Sequence, residues 1–552
     1  MSFVTRLRRP LGWLLTILAA ALVVAILVAP NRYGRLGVAA FLRIPIEGIA
    51  AAALLVVLPR RPRRIVAVLL GAAVGVLGLV KVADMGFYES FARSFDPVLD
   101  WGLLDDGFNF LTDAVGRGGA IGVAIGAALL VAGVVTLCAL AMLRLSTVLV
   151  SHDRVARRGI AAAAAAWAVL AVAGVVVLPG RPVASDSSAN LAFGRLLGVK
   201  AGLHDRQAFA DAAAVDAFRG TRDADMLTAL RGKDVVFAFI ESYGRDAVED
   251  PEFAPQVGAV LDDGTRRLAA AGYASRAGWL TSSTFGGYSW FAHSTFHSGL
   301  KVSNQQRYRT LVASDRQTLP SMFRRAGWET VGMEPNNTYA WPEGDFYGYD
   351  RVHDSRNIGY RGPKFSWSAM PDQFTLAAFE RLERGRAGRG PLMAEVSLSS
   401  SHTPWAPIPQ FIDWSAVGDG SVYGPMAAAG PTATEIWKDK KRVRAEYRRS
   451  IEYSLTSLVS YVEHYGDDDL VLVILGDHQP NATVTGDGAS HDVPITLISR
   501  DPAVTGRIAS WGWDDGLKPG RRAPVWPMED FRDRFLTAYG SRPADGSLAA
   551  PR

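Results

Sequence analysis

Apolar residues dominate five stretches of the first third of the chain, at residues 11–29, 38–58, 65–80, 120–143 and 160–178. A bilayer crossing takes roughly 20 predominantly apolar residues, whereas runs of about 10 to 14 suit buried core helices. These stretches are longer and, apart from Arg43 and Glu47 near the start of the second, carry no charge. They predict five membrane spans. The spans that follow the first one argue against a cleaved signal peptide.

Beyond residue 233 the pattern changes. Short apolar runs alternate with helical periodicity, as in an α/β domain with a largely parallel sheet. Asp234-Val-Val-Phe-Ala-Phe-Ile240 is the first candidate strand, and further candidates lie at 329–333, 393–398, 470–475 and 493–499. Residues 432–465 read as mostly helical, with Ile451, Leu455, Leu458 and Val462 near helical spacing. The predicted organisation is therefore a transmembrane region over 1–180, a linker over 181–232 and a soluble domain over 233–552. Within the linker, Leu191, Phe193, Leu196, Leu197 and Val199 interleave with Arg195 and Lys200. That pattern fits either a solvated connection or a helix lying on the membrane surface.

Charge sets the orientation. Arg6, Arg8 and Arg9 precede the first span, Arg60, Arg61, Arg63 and Arg64 lie between the second and third, and Arg144, Arg154, Arg157 and Arg158 lie between the fourth and fifth. The positive-inside rule makes these segments cytoplasmic, against the opposing Arg32 and Arg35. The loop between the third and fourth spans carries Asp84, Glu89, Asp96, Asp100, Asp105, Asp106 and Asp113, as an external loop does. Five crossings then put the soluble domain outside a cytoplasmic membrane. The formal net charge of +5 owes much to the cytoplasmic loops, so it points to anionic headgroups rather than nucleic acid. The one cysteine, Cys138, falls in the fourth span, so the soluble domain has no thiol for a disulfide or a Cys-based metal site.

Open α/β sheets bind ligands at the carboxyl ends of their strands. Glu241 and Ser242 follow the first candidate strand, His402 follows the strand around Val396, and Asp477 and His478 follow Val471-Leu-Val-Ile-Leu-Gly476. Carboxylate and imidazole donors of this kind suit one divalent ion, Mn²⁺, Mg²⁺ or Zn²⁺. Taken singly, each has a plain structural role. The hydroxyl run Thr281, Ser282, Ser283 and Thr284 is also a helix cap, and Asp477 with His478 is also an ordinary turn.

Together, Phe239-Ile-Glu241-Ser242, Ser283-Thr284-Phe285-Gly286-Gly287, Ser401-His402-Thr403-Pro404 and Gly476-Asp477-His478-Gln479-Pro480, in this order behind five spans, resemble a known family. It is the sulfatase/alkaline-phosphatase superfamily, in its lipoteichoic-acid-synthase-like or phosphoglycerol-transferase-like membrane form. The resemblance implies Glu241, Thr284, Asp477 and His478 as metal ligands, Thr284 as nucleophile, His402 as the contact to the substrate phosphate, and His491 as another active-site histidine on the substrate side. Ser283 stands as a rival nucleophile. Trp341 and Arg351 are further candidates for the substrate pocket. The implied chemistry is transfer or hydrolysis of a lipid-linked phosphodiester through a covalent phospho-threonine, with a membrane lipid as donor and a lipid or glycan hydroxyl as acceptor.

Departures narrow this. The family tends to place an acidic residue shortly after the nucleophile, where this chain has Phe285-Gly286-Gly287-Tyr288-Ser289-Trp290. Neither a cysteine nor a serine stands in the Cys/Ser-X-Pro-X-Arg setting of classical sulfatases, and the disulfides common in phosphoethanolamine transferases cannot form outside. A non-catalytic scaffold and a transporter are the other classes. The complete ligand set argues against the first, and the scarcity of ionisable residues deep in the spans against the second. In Phe87-Tyr88-Glu89-Ser90-Phe91 and Phe95-Asp96-Pro97-Val98-Leu99-Asp100-Trp101, the aromatics fit either the headgroup level or the packing of the helix bundle, which look alike in sequence.

Overall fold

The computed structural model describes residues 3–91, 93–96, 100, 103–178, 181–365, 367, 370–486 and 488–541. The chain divides into two compact units, Met1–Glu89 with Arg93–Asp205, and Ser90–Ala92 with Arg206–Arg552.

In the first unit, α1 (Phe3–Val28), α2 (Ile46–Val57), α3 (Arg60–Phe91), α4 (Leu103–Ser151) and α5 (Asp153–Val172) carry the apolar stretches. Among the described residues, four helices are long and apolar enough to cross a membrane, over Pro10–Val28, Arg60–Phe91, Val115–Ser151 and Asp153–Val172. This is a multi-pass membrane protein, but the second predicted span is not one continuous helix. A four-residue turn of helix, Val38–Phe41, gives way to an extended Ile44–Pro45 before α2 begins. Pro45 has no amide hydrogen to give and its ring excludes the preceding residues from a helix. That leaves α2 at 12 residues, so the second apolar stretch reaches crossing length only together with the broken segment 38–45 before it. The last span also ends earlier than its apolar run, because Gly174 adopts φ 62° and turns the chain out of the helix.

Small residues bring α3 against α4. A Cβ placed on Gly71 would lie 2.5 Å from the Ala139 Cα and 2.6 Å from the Cys138 carbonyl, and one on Gly75 would lie 2.9 Å from the Val135 Cα. Gly71-Ala-Ala-Val-Gly75 is a small-xxx-small stripe of the kind that lets membrane helices touch backbone to backbone. At the end of α1 the orphan carbonyls of Ile26 and Leu27 accept from the Lys81 ammonium at 2.9 and 3.0 Å, and Ser188 Oγ joins at 2.9 Å. A buried lysine is thus spent on satisfying a helix terminus.

The acidic loop is not simply solvated. Asp84 is buried and accepts from Asn31 Nδ2 at 2.9 Å, Phe95 N at 3.0 Å and Arg195 Nη2 at 2.5 Å. Asp100 accepts a fork of bonds from Arg93 at 2.7 and 2.8 Å. Phe95 packs edge-on to Phe87 with centroids 5.2 Å apart, so these two rings fill the loop itself. Residues 97–99 and Trp101 lie outside the described residues, as do the side chains of Leu196, Leu197, Val199 and Lys200. The backbone of the predicted linker is helical over Ser187–Ala214, here α6.

The second unit is built on one sheet. Its strands are β1 (Asp234–Ile240), β2 (Ala274–Thr281), β3 (Glu329–Glu334), β4 (Arg351–Asp354), β5 (Leu392–Leu398), β6 (Leu470–Gly476), β7 (Asp492–Ser499), β8 (Asp514–Asp515) and β9 (Val525–Pro527). Their order is β8-β2-β7-β6-β1-β5-β3-β4, with β9 also pairing β2. The half from β6 to β4 is parallel throughout. The predicted largely parallel sheet is therefore mixed, because β7 runs antiparallel to both β6 and β2. The connection between β6 and β7 carries the short helix Ala482–Thr485.

Both sheet faces are buried, and the two-residue period of β1 shows how. Val236, Ala238 and Ile240 face one apolar core, together with Leu455, Leu458 and Val462 of α9 (Lys440–Tyr465) and Val257, Leu261 and Leu268 of α7 (Ala254–Ala270). Val235, Phe237 and Phe239 face the other, with Ala292 and Phe296 of α8 (Ser289–Ser298) and Phe531 and Phe535. Continuous apolar strands of this sort belong to sheets covered on both sides.

Gly71→Val should lower the thermal unfolding midpoint of the detergent-solubilised protein, by the overpacking cost of about 1–3 kcal/mol or more, since the obstructing atoms are backbone. Gly133→Ala is the control, because nothing lies within 4 Å of the added Cβ. Equal midpoints for the two variants would show that α3 and α4 do not pack through Gly71.

Candidate active site

The strands β1 and β6 pair in register up to Ile240 and Gly476, so the residues after them emerge side by side. Glu241 donates its N–H to the Leu398 carbonyl at 3.0 Å, keeping it aligned with the end of β5. Ser242 then takes φ 57°, a left-handed conformation unusual for a residue with a Cβ. Asp477 holds this turn: its Oδ1 accepts from Ser242 N at 2.8 Å and from His478 N at 2.6 Å. The approach depends on Gly476, where a Cβ would collide with the Tyr243 carbonyl.

The ligand atoms of Glu241, Asp477 and His478 lie within 4.8 Å of one another. His478 Nδ1 meets the Gln479 carbonyl at 2.7 Å. A carbonyl only accepts, so Nδ1 carries the proton and Nε2 faces Glu241 at 3.3 Å and Asp477 at 3.6 Å. An imidazole fixed in this way by its other nitrogen is how metal-bound histidines are oriented. Two carboxylates and one Nε2 are a donor set that fits a divalent ion. Burial, and then the charge of Glu241, push Asp477 up to about 7. Burial opposes protonation of His478, but Asp477 and Glu241 overcome it and raise the imidazole to about 9. Glu241 is held well below the usual range against its burial, chiefly by His478, and the charge of His402 adds to this.

The loop bearing Thr284 is sewn to this turn. Ser282 Oγ donates to the Asp477 carbonyl at 2.6 Å, Gly286 N donates to the Gln479 carbonyl at 2.9 Å, and Ser282 N donates to the His491 carbonyl at 2.9 Å. Gly286 at φ 72° and Gly287 at φ 155° turn the chain back towards α8. Thr284 Oγ1 donates to the Gly287 carbonyl at 2.7 Å. Ser283 Oγ instead accepts from Thr295 Oγ1 at 2.9 Å, in a buried bond within the α8 packing.

The remaining predicted residues separate. His402 sits on the loop after β5, and its neighbour Ser401 donates to the Glu241 carbonyl at 2.6 Å. His491 lies 5.3 Å from the Phe285 ring. Burial and Lys301 push its pKa down, partly offset by hydrogen bonds to the backbone of Thr284 and Ser282. It braces the Thr284 loop. Trp341 packs against Tyr347 and Tyr349 at 5.3 and 6.3 Å. Arg351 is not brought to the site. It opens β4, in register with Val331 and, across β5, with Val236, so it lies towards the amino-terminal side of a sheet whose carboxyl ends carry Glu241 and Asp477. There it binds Glu329 at 2.7 Å and Glu383 at 2.8 Å. Against burial, His353 and Arg351 hold the Glu383 carboxyl at about 2, as expected of a structural ion-pair cluster.

Sequence reasoning missed Ser289. This first residue of α8 donates its hydroxyl to Glu241 Oε2 at 2.8 Å and lies 3.3 Å from His478 Nε2. It also missed a second cluster, in which the ligand atoms of His293, Glu334 and Glu395 lie within 4.8 Å of one another.

Residues 233–495 match the family model described as Sulfatase. They form a sulfatase-family domain. The superfamily resemblance drawn from the four motifs is thereby borne out, and the sulfatase domain is of a phospho- or sulfo-ester enzyme type. The chain is similar to the lipoteichoic acid synthase LtaP from Listeria monocytogenes, at 16% identity over 62% of this chain and 79% of that chain, with a TM-score of 0.39. It is similar to the phosphoglycerol transferase GacH of Streptococcus pyogenes, at 12% identity over 61% and 80%, with a TM-score of 0.35. It is also similar to the lipooligosaccharide phosphoethanolamine transferase EptA from Neisseria meningitidis, at 13% identity over 91% and 88%, with a TM-score of 0.40. No curated protein matches the chain.

Metal uptake at Glu241, Asp477 and His478 must release the protons that Asp477 and His478 hold below about 7 and about 9. Apparent affinity should therefore rise from pH 6 to pH 9, which calorimetric titration with Mn²⁺ or Zn²⁺ checks; a flat profile would contradict the assignment. Ser289→Ala removes a partner of two ligands and should weaken affinity by about 10–100-fold. Unchanged affinity would mean that Ser289 does not orient them.

Proposed function

We propose that the protein is a membrane-bound phosphotransferase or phosphodiesterase that uses one divalent ion and Thr284 to act on a lipid-linked phosphodiester outside the cytoplasmic membrane. The observation that carries this reading is the tie between the Thr284 loop and the Asp477 turn, through Ser282 Oγ to the Asp477 carbonyl and Gly286 N to the Gln479 carbonyl. It joins the loop that carries the Thr284 hydroxyl to the turn that carries Asp477 and His478.

Glu241, Asp477 and His478 would hold the ion, with Thr284 as a further donor, and Mn²⁺ is the favoured occupant, with Zn²⁺ or Mg²⁺ as alternatives. When bound, the ion neutralises ester oxygens and favours the deprotonated hydroxyl. Thr284 Oγ1 attacks phosphorus, forming an O–P bond as the bond to the lipid alcohol breaks, and the alcohol leaves with a proton. An acceptor hydroxyl on a lipid or glycan, or water, then takes the phosphoryl group from Thr284. His402 and His491 are assigned the contacts to the phosphate, and α8 opens at Ser289 with no side-chain cap on its first amides, a setting that favours anions. Trp341 is assigned to the outer pocket. Arg351, tied up with Glu329 and Glu383, is given no part.

The test is mass spectrometry of products formed from a panel of glycerophospholipids in vesicles and from water-soluble phosphodiesters. Thr284→Ala should abolish turnover, a loss of at least about 10³-fold for a missing nucleophile, with membrane insertion intact. Ser283→Ala should be mild. The reverse ranking would move the nucleophile to Ser283, and full activity after thorough chelation would remove the ion from the mechanism.

A further inference from the structure

Ser289, His293 and His297 recur every four residues on α8 and so share one face of it. Ser289 reaches the Glu241 and His478 group, whereas the two histidines reach a different set of donors. His293 Nδ1 lies 2.6 Å from Glu395 Oε1, and His297 Nε2 lies 2.8 Å from Glu395 Oε2. Glu395 stands inside β5, opposite Phe237 and Gly332 of the flanking strands, and is 2% exposed. Glu334 ends β3 and accepts from Ser397 Oγ at 2.9 Å through Oε2. Its other oxygen, Oε1, is buried and has no hydrogen-bond partner among the described residues. His297 is fully buried, and its Nδ1 likewise has none. The Tyr349 hydroxyl contacts Glu395.

An unpaired carboxylate oxygen in a dry interior costs several kcal/mol unless something compensates it. Here the Glu334 carboxylate converges with a second carboxylate and the His293 imidazole, and His297 adjoins them through Glu395. Ligands about 2.0–2.2 Å from a bound ion stand about 3–4 Å from one another. Donor atoms already within 4.8 Å need only small side-chain adjustments to reach that spacing. Two carboxylates balance a divalent charge. Imidazole donors favour zinc-like or manganese-like ions over Ca²⁺, which takes six to eight oxygens.

We infer that His293, Glu334 and Glu395 form a second divalent-cation site, with His297 as an adjoining donor, separate from the site of Glu241, Asp477 and His478. The two sites share no ligand. α8 serves both, through Ser289 at one and His293 at the other. The competing account is a metal-free network in which histidine protons alone hold the two carboxylates together.

Metal content of the full-length protein in detergent, loaded with Zn²⁺ or Mn²⁺ and freed of excess ion, separates the accounts. Wild type should hold two ions per chain, and Glu334→Gln/Glu395→Gln should lose about half of the metal. Asp477→Asn/His478→Ala should lose the other half, which reports on the active-site reading independently. Unchanged metal content in Glu334→Gln/Glu395→Gln overturns the second site, as does a metal-free wild type. Because a buried double substitution risks unfolding the chain, a second measurement uses wild type alone: anomalous diffraction at the Zn or Mn edge. A peak among His293, Glu334 and Glu395 supports the site, and a map with no peak there overturns it.

Discussion

A single carboxylate oxygen organises the catalytic edge of this protein. Asp477 Oδ1 takes the backbone N–H of Ser242 from the end of one strand and of His478 from the end of the next. A buried carboxylate without partners is strongly disfavoured, and charge-assisted bonds to backbone N–H groups are what make it tolerable. Because both donors are backbone, the bond fixes chain path rather than rotamer, and it sets the direction in which Glu241 and His478 leave the sheet. The Asp477 and Gln479 carbonyls then anchor the Thr284 loop. Loss of this one carboxylate would release two strand ends and a loop together.

Much of this was legible in the sequence, for reasons that can be named. Strands buried on both faces are continuous apolar runs, so Asp234–Ile240 and the run before Asp477 stood out. Ligand-bearing turns follow such strands at their carboxyl ends, which singled out Glu241, His402, Asp477 and His478. The second apolar stretch reads as one unbroken run because apolar count outweighs the local signals of Arg43, Pro45 and Glu47, and those signals break its helix. Strand direction carries no compositional mark, so the antiparallel β7 was invisible. Arg351 looked like a pocket residue because a charged residue after an aromatic segment has the same letters at either end of a sheet. The register puts it at the wrong end.

The second cluster was legible too, and was passed over. Glu334 directly follows a predicted strand, as Glu241 and Asp477 do, and Glu395 interrupts an apolar strand where a carboxylate needs a reason. His293 and His297 recur at helical spacing. No single signal rose above an ordinary surface residue; their convergence became visible only when β3, β5 and α8 were placed together.

Magnitudes show why this cluster needs positive charge. Two carboxylates about 4 Å apart repel by about 4 kcal/mol at an effective dielectric of about 20, equivalent to about three pKa units. A hydrogen bond to a charged group returns only about 1.5–3 kcal/mol, so the Ser397 bond to Glu334 cannot offset the repulsion. Burial and then the Glu395 charge accordingly push Glu334 up to about 8. Glu395 stays ionised because, against its burial, His297 and His293 hold it far below the usual carboxylate range. Burial disfavours charge on His293, yet Glu395 raises it to about 9, with smaller contributions from Glu334 and Asp477. The same His293 charge reaches back to Asp477, where it opposes the upward push of burial and Glu241. The two groups are therefore coupled in direction through His293, whose positive charge favours the ionised form of Asp477 at the catalytic edge as it favours that of Glu395.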